Sequence, residues 1–434
     1  MTAEIAVLNK SAVALATDSA VTISAGTQAL KIFESADKLF ELSKSQPIGI
    51  MVYNGMQFLG VPLETIIKSF RQREASFRTV RDAANAFLGH LYEYVDAAPE
   101  EEIYSGIVAL ISPIAEEISQ KVEQRVIERV SEGTPPQTRE DFDAFIAETM
   151  NDVLEFYEGT VEGLGEIDFL PRSDNKAQKE KYRSFTRRAV EEGVSGFVVK
   201  HIDRIVEFSL KLLRAQVISN GKTGIVFAGF GEEERFPTLI SYEIDGVFEA
   251  KIRSIETDCC DIDRNGMRAY VRPFAQKEMV DRFLHGLDDR LRSDITKYCR
   301  ETIGSIAEGI LAGVQFADDA DQEELLKLAK QAEDAFIRNL NDTAFMSFEH
   351  RSRHEIEDMV EFMPKPELAK MAEALIDLTS IKRKVSQGLE TVGGPVDVAV
   401  ISKSDGFVWV KRKHYFPSEL NHRYFCRVGK SDGA

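Results

Sequence analysis

The grouping of strand-like and helix-like segments along the chain most constrains its fold. Runs of apolar and β-branched residues predict strands in three groups, and apolar residues at helical spacing predict helices between the groups. The predicted strands cover 2–8, 12–16, 39–42, 48–53, 223–230, 238–244, 247–252, 396–401 and 407–410. Strands grouped in this way favour two sheets between helical layers over alternating parallel βαβ units. The predicted fold class is therefore α+β.

Two helical and highly charged blocks interrupt the predicted strands, at 99–219 and 276–345. We interpret both blocks as insertions into a single domain that spans 2–434, because the sequence offers no clean linker beside either of them. The core of this domain is predicted to comprise 2–95, 222–262 and 350–415. Within the middle group of strands, Asp245-Gly246 is a dipeptide typical of a tight hairpin and is predicted to join two strands there.

The first predicted strand begins at Thr2, directly after the initiator methionine. Aminopeptidases usually remove Met1 when the next side chain is small, so we expect a mature chain that begins with threonine. Such a residue combines a hydroxyl nucleophile with a proton acceptor, because a free α-amino group has a pKa of about 8 and can take the hydroxyl proton. The polar turn at 9–11 predicts an antiparallel hairpin, which brings Asp18 next to Thr2.

Lys38 lies directly before the predicted strand 39–42. An ammonium group on a strand beside Thr2 would lower the effective basicity around the hydroxyl, and a nearby carboxylate would orient that lysine. Thr2, Asp18 and Lys38 are therefore candidate catalytic residues.

Five segments together carry a family pattern. They are Thr2 at the expected mature start, Ala14–Ser19, Asp37–Leu39, Asn54-Gly55 and Val392–Asp397. These segments resemble the proteasome β-type family of N-terminal nucleophile (Ntn) hydrolases, including its bacterial proteasome-like relatives. The order of the predicted strands is also similar to that family, whereas the two helical blocks fall outside the resemblance. The resemblance implies a four-layer αββα sandwich of two antiparallel sheets with large helical insertions.

The resemblance also implies roles for individual residues. Thr2 would be the nucleophile, and its own amine would be the general base, acting through a water. Asp18 and Lys38 would be the supporting acid and base partners. A backbone amide at the turn after the fourth strand would form the oxyanion hole, and we favour that of Gly55 over its neighbour. A contact of this kind is typically worth about 3 kcal/mol in a transition state.

The sequence departs from the family pattern at two places near these residues. The segment between Asp18 and Lys38 is longer than in the family, so Lys31 remains an alternative to Lys38. Ala20 stands where the family often has an arginine after the Asp-Ser pair.

The motifs favour a cytoplasmic threonine-type peptidase that cleaves peptides or proteins through an acyl-enzyme on Thr2. Two alternatives remain open: an amidase for a small molecule, with a pocket closed by the insertions, and a non-catalytic scaffold subunit that retains Met1. The resemblance implies a homo-oligomer. Because the sequence lacks a glycine-rich phosphate loop, any energy-dependent unfolding of substrates would need a separate ATPase partner.

The charge balance argues against several other classes of protein. Lys and Arg number 54 against 72 Asp and Glu, a formal net charge of −18, so nucleic acid is not expected as a partner. The sequence has no apolar run of about 18 residues, the length of a membrane span, and no basic segment followed by an apolar run. We therefore expect no membrane partner and no secretory signal.

No metal or cofactor is expected from the cysteines and histidines. The cysteines fit neither a zinc spacing nor a disulfide framework and are interpreted as reduced thiols; they are Cys259, Cys260, Cys299 and Cys426. His350 and His354 would share one helical face, which is a possible metal pair, but their charged flanks favour a solvated surface.

Overall fold

The computed structural model describes residues 2–25, 28–73, 75–132, 136–167, 176–313, 319–386, 392–423 and 426. Met1, whose removal the sequence predicts, lies outside these residues. The chain forms two compact units. The first unit comprises Met1–Ala36 and Asp261–Ala434, and the second comprises Asp37–Cys260.

The strands are numbered in chain order. They are β1 (Ala3–Asn9), β2 (Ala12–Thr17), β3 (Val21–Ala25), β4 (Gln28–Phe33), β5 (Leu39–Glu41), β6 (Ile48–Asn54), β7 (Gln57–Phe58), β8 (Val61–Pro62), β9 (Thr223–Gly229), β10 (Thr238–Phe248), β11 (Lys251–Asp261), β12 (Ala269–Ala275), β13 (Asp397–Ser402) and β14 (Gly406–Lys411).

The helices are numbered in the same way. They are α1 (Leu63–Arg71), α2 (Val80–Val95), α3 (Glu100–Glu132), α4 (Arg139–Glu162), α5 (Lys176–Gly193), α6 (Ile202–Leu212), α7 (Glu278–His285), α8 (Asp289–Ala312), α9 (Asp319–Asn339), α10 (Met346–Glu361) and α11 (Lys365–Val385). Short 3₁₀ turns cover Gly196–His201 and Ser418–Leu420, and a π-helical turn covers Leu340–Phe345. Within the described ranges, no helix is long and apolar enough to cross a membrane.

The first unit is built on a five-stranded antiparallel sheet in the order β12-β1-β2-β13-β14. The predicted hairpin of β1 and β2 is confirmed, with Glu4 opposite Thr17 and Asn9 opposite Ala12. The Asn9 side chain stabilises the turn, because its Oδ1 accepts a hydrogen bond from the Ser11 amide at 2.9 Å. The hairpin thus carries Thr2 and Asp18 at the same end.

One face of this sheet packs against helices α10 and α11. Alternate strand residues and helix residues form its apolar core, which includes Ala3, Ile5, Val7, Ala14, Ala16, Val398, Leu368, Ala372 and Ile376. Because successive side chains of a strand point to opposite faces, Glu4 and Thr17 lie on the other face. Every residue of β1 and β2 is buried.

The second unit contains another antiparallel sheet, in the order β11-β10-β9-β6-β5. Helices α2 and α3 pack on β10, and α2 also contacts β9. The aromatic rings of Phe87 on α2 and Phe227 on β9 meet edge to face, with centroids 5.6 Å apart. Thr79 and Asp82 form a reciprocal capping box that fixes the start of α2.

The predicted fold class is confirmed. The protein is α+β, and each unit contains a five-stranded antiparallel sheet with helices packed against it. Helices α3 to α6 lie between α2 and β9 in the chain, and α7 to α9 lie between β12 and α10. The assignment of one domain with two insertions, and its boundaries, stays a prediction.

The hairpin predicted at Asp245-Gly246 is wrong. Strand β10 continues through both residues to Phe248, and the turn into β11 is made by Glu249 and Ala250. Both turn residues have positive φ, 50° and 58°, which matches the backbone twist of a two-residue hairpin. Asp245 is held inside the sheet because its carboxylate forms a buried ion pair.

Strand β12, the hairpin of β3 and β4, and the short strands β7 and β8 also escaped the sequence analysis. Strand β12 contains Pro273, which lacks an amide hydrogen and argues against a central strand. The structure resolves this conflict by placing β12 at the edge of its sheet, paired with β1 alone. The hairpin of β3 and β4 lies in the segment that separates Asp18 from Lys38 and accounts for its extra length.

The ion pair of Asp245 and Arg253 connects three parts of the second unit. The Arg253 Nε lies 3.0 Å from Asp245 Oδ1, and both side chains are almost fully buried. Asp245 Oδ2 also accepts a hydrogen bond from the Ser219 amide at 2.8 Å. The Arg253 guanidinium donates to the carbonyls of Leu213 and Val217. The pair therefore ties the segment after α6 to β10 and β11.

We predict that Arg253→Met destabilises the protein strongly, because it leaves the Asp245 carboxylate buried without its cation. The expected loss in the free energy of unfolding is about 3–5 kcal/mol. Urea denaturation followed by far-UV circular dichroism measures it. The matched control is Arg78→Met, which removes an exposed pair with Glu233 and should cost less than about 1 kcal/mol. Equal losses in the two variants would contradict the role of the buried pair.

Candidate active site

Thr2 lies directly before β1 and is 1% exposed in the chain with Met1 in place. Its carbonyl accepts a hydrogen bond from the Gln276 amide at 3.1 Å, which extends the pairing of β1 with β12 by one residue. Its hydroxyl donates to Glu4 Oε2 at 3.0 Å. The backbone and the side chain of Thr2 are thus both held in place.

Asp18 follows β2 and fastens the start of β1. Its Oδ1 accepts a hydrogen bond from the Ala3 amide at 3.1 Å, and the Asp18 amide donates to the Ala3 carbonyl at the same distance. Its Oδ2 accepts from the amides of Gly393, at 3.1 Å, and Ala20, at 3.3 Å. The carboxylate therefore joins three chain segments and fixes the residue that follows Thr2.

The glycine pair Gly393-Gly394 lies in the segment Val392–Asp397 that resembles the family pattern. It forms the loop that Asp18 holds. The Gly393 carbonyl accepts from the Ser19 amide at 3.1 Å, and the Ser19 hydroxyl donates to the Pro395 carbonyl at 2.5 Å. Gly394 has a φ of +76°, and a Cβ there would lie 2.8 Å from the Glu34 carbonyl oxygen. Only glycine fits this close approach without strain.

Three polar residues form a row across the face of the sheet opposite to α10 and α11: Glu4, Thr17 and Asp397. Thr17 lies directly across from Glu4 on one side and from Asp397 on the other. All three side chains are buried. Asp397 is paired with the half-buried Lys413, whose amide also donates to the Asp397 carboxylate at 2.8 Å.

The contact between Thr2 and Glu4 was missed by the sequence analysis. A signal was present, since Glu4 is the one charged residue among the apolar residues 3–8. Alternation in a strand places residues 2 and 4 on the same face, so this glutamate could have been recognised as a neighbour of the candidate nucleophile.

The other predicted site residues lie in the second unit. Lys38 is fully buried, and its carbonyl accepts from the Val52 amide at 2.8 Å at the start of β5. The Gly55 amide faces the Lys222 carbonyl at 3.4 Å, which is long for an N–H···O hydrogen bond. A Cβ at Gly55 would lie 2.0 Å from Thr223 Oγ1, so glycine is required there.

The alternative lysine, Lys31, has a different environment. It is exposed on β4 of the first unit, and its ammonium lies 4.6 Å from the ring centroid of Phe33. A solvated ammonium of this kind is screened by water and is poorly suited to stabilising the alkoxide of a buried hydroxyl. Lys38 therefore remains the candidate catalytic lysine.

Histidines and cysteines do not form a metal centre within the described part of the chain, where no group of three candidate ligands occurs. His350 and His354 are exposed on α10, with ring centroids 5.9 Å apart. His354 faces Asp358 at 3.8 Å. The four cysteines are free thiols, of which Cys260 is buried.

The comparisons with known proteins give little that bears on this site. No protein-family model matches the chain, and a search of curated proteins finds no match. Among solved structures, the chain matches a mutant of Anbu from Hyphomicrobium sp. strain MC1, with 11% identity. The match covers 99% of this chain and 96% of that chain, with a TM-score of 0.26. No conclusion about fold or function rests on a likeness of that size.

We predict that Asp18→Asn loosens the start of β1. An asparagine amide has one acceptor oxygen, so its NH₂ group would face an amide donor that the carboxylate now satisfies. The expected loss in the free energy of unfolding is about 1–3 kcal/mol, with faster hydrogen exchange at the amides of Ala3 and Gly393. Asp377→Asn, at an exposed position on α11, is the control and should change stability by less than about 0.5 kcal/mol. Unchanged hydrogen exchange at the Ala3 amide would contradict the role of Asp18 in fixing the start of β1.

Proposed function

We propose that this protein is a threonine-type hydrolase of amide bonds, with peptides as its substrates and Thr2 as its nucleophile. The observation that carries the proposal is the fixed position of Thr2. Asp18 binds both the amide and the carbonyl of Ala3, the residue after Thr2, and Glu4 accepts a hydrogen bond from the Thr2 hydroxyl at 3.0 Å. A hydroxyl that is oriented and hydrogen-bonded to a proton acceptor is the arrangement that nucleophilic catalysis requires.

The reaction proceeds in two steps. The Thr2 Oγ attacks the substrate carbonyl carbon as its proton leaves, and the carbonyl electrons move to oxygen. When this intermediate collapses, the C–N bond breaks, the amine leaves with a proton, and an ester of Thr2 remains. Water then attacks the ester carbonyl, the ester C–O bond breaks, and Thr2 regains its proton.

The family resemblance supplies the remaining roles in the proposal. It assigns the oxyanion contact to the Gly55 amide and an electrostatic role to Lys38, whose ammonium favours the developing alkoxide. It assigns the proton acceptor to the α-amine of Thr2, which requires removal of Met1. The same resemblance favours a homo-oligomer. We place it in the cytoplasm, where any energy-dependent unfolding of substrates would need a separate ATPase. Light scattering coupled to gel filtration measures the oligomeric state.

A small-molecule amidase is the second candidate. The helices α3 to α6 and α7 to α9 lie outside the family resemblance, and insertions that close a site into a pocket suit a small amide. Hydrolysis of unrelated short peptides would favour the peptidase. Strict dependence on one small amide would favour the amidase.

We predict a single covalent adduct when the protein is exposed to a peptide epoxyketone. This group closes a ring only with a threonine that offers both a hydroxyl and a free amine. Intact-mass spectrometry should show loss of Met1 and one adduct in the native protein, and no adduct in Thr2→Ala. A mass that still includes Met1 would contradict the proposed nucleophile and favour a scaffold. Loss of Met1 without an adduct would favour the closed pocket of an amidase.

A further inference from the structure

Glu4 is a fully buried carboxylate in a strand of apolar residues. Burial of an ionisable group is costly unless it gains specific partners, and β-branched or apolar residues suit a buried strand position better. Such a group beside a candidate nucleophile is itself a candidate functional residue. Glu4 lies beside the candidate nucleophile, since its Oε2 is 3.0 Å from the Thr2 hydroxyl oxygen.

The surroundings of Glu4 are fixed by the sheet. Thr17 lies directly across from it on β2, and Phe274 lies directly across on β12. Among the described residues of this sheet, the charged groups on the same face include Arg272, which lies across from Ala6 two register pairs further along β12, and Asp397 with its partner Lys413. Two rigid neighbouring strands thus hold the carboxylate in register with Thr2.

The two carboxylates beside Thr2 have different tasks. Asp18 directs both of its oxygens to backbone amides, so it positions the chain. Glu4 receives the hydroxyl of Thr2 itself. A donor–acceptor distance of 3.0 Å allows direct proton transfer without an intervening water.

We propose that Glu4 is the immediate acceptor of the Thr2 hydroxyl proton, in place of the α-amine. This inference rests on the function proposed above. As the Thr2 Oγ–C bond forms, the proton passes to Glu4 Oε2, and Glu4 then gives it to the leaving amine as the C–N bond breaks. In the second step Glu4 takes a proton from the attacking water and returns it to Thr2 as the ester C–O bond breaks. No further reactant is needed.

The test measures how fast a β-lactone acylates Thr2. The hydroxyl opens the lactone ring and forms an ester that contains no bond to the amine, so the rate reports the acceptor of the hydroxyl proton. Intact-mass spectrometry follows the rate in the native protein and in Glu4→Gln, which keeps the size of the side chain and removes its basicity. We expect the rate to fall by about 10²–10⁴-fold in Glu4→Gln, with loss of the acid limb of the pH–rate profile.

The matched control is Thr17→Val, directly across from Glu4 on the same face. Within the described residues, the Thr17 hydroxyl is buried without a hydrogen-bond partner, so its removal disturbs the same place without removing an acceptor. We expect the acylation rate and pH profile of Thr17→Val to match the native protein. An equal loss in Thr17→Val and Glu4→Gln would show that Glu4 acts only through packing and would overturn the proposal.

A second variant covers the case in which Glu4→Gln does not fold. Glu4→Asp keeps the charge but withdraws the carboxylate from its 3.0 Å position, so its rate should fall at least 10-fold; a native rate would overturn the proposal.

Different outcomes overturn the two proposals. Acylation that survives Thr2→Ala, or is absent from the native protein, overturns the proposed function. Acylation that needs Thr2 but is as fast in Glu4→Gln overturns only the role of Glu4.

Discussion

The organisation around Thr2 depends on one carboxylate. Asp18 accepts hydrogen bonds from three backbone amides that belong to the start of β1, the segment after β2 and the loop before β13. Charge-assisted hydrogen bonds of this type are stronger than neutral ones, and backbone donors leave the carboxylate little freedom. The result is a rigid frame around Ala3. This frame sets the direction in which the side chain of Thr2 projects.

The sequence predicts the part of this frame that depends on local geometry. A two-residue turn and the alternation of a strand are sufficient to bring Asp18 to the start of β1, and the predicted hairpin of β1 and β2 is present. The glycine pair at 393–394 was recognised as a motif from the family resemblance, and its physical cause is the close approach of Gly394 to Glu34. Short-range patterns of this kind are the most dependable information in a single sequence.

The errors have a common physical origin in tertiary contacts. Asp245-Gly246 has the composition of a turn, but the ion pair of Asp245 with Arg253 keeps this dipeptide inside β10. Pro273 argues against a strand, but the edge position of β12 needs no amide donor on its outer side. Glu4 is the exception, because its contact with the Thr2 hydroxyl is local and follows from the alternation of side chains in a strand.

The central claim is that the Thr2 hydroxyl, oriented by this frame, is a nucleophile that cleaves amide bonds. The most direct test compares the hydrolysis of a set of fluorogenic peptides by Thr2→Ser, Thr2→Ala and the native protein under the same conditions. A serine hydroxyl at this position keeps the bond to Glu4, whereas alanine removes it. The account predicts measurable turnover with serine and none with alanine. Equal turnover by the alanine variant and the native protein would contradict it.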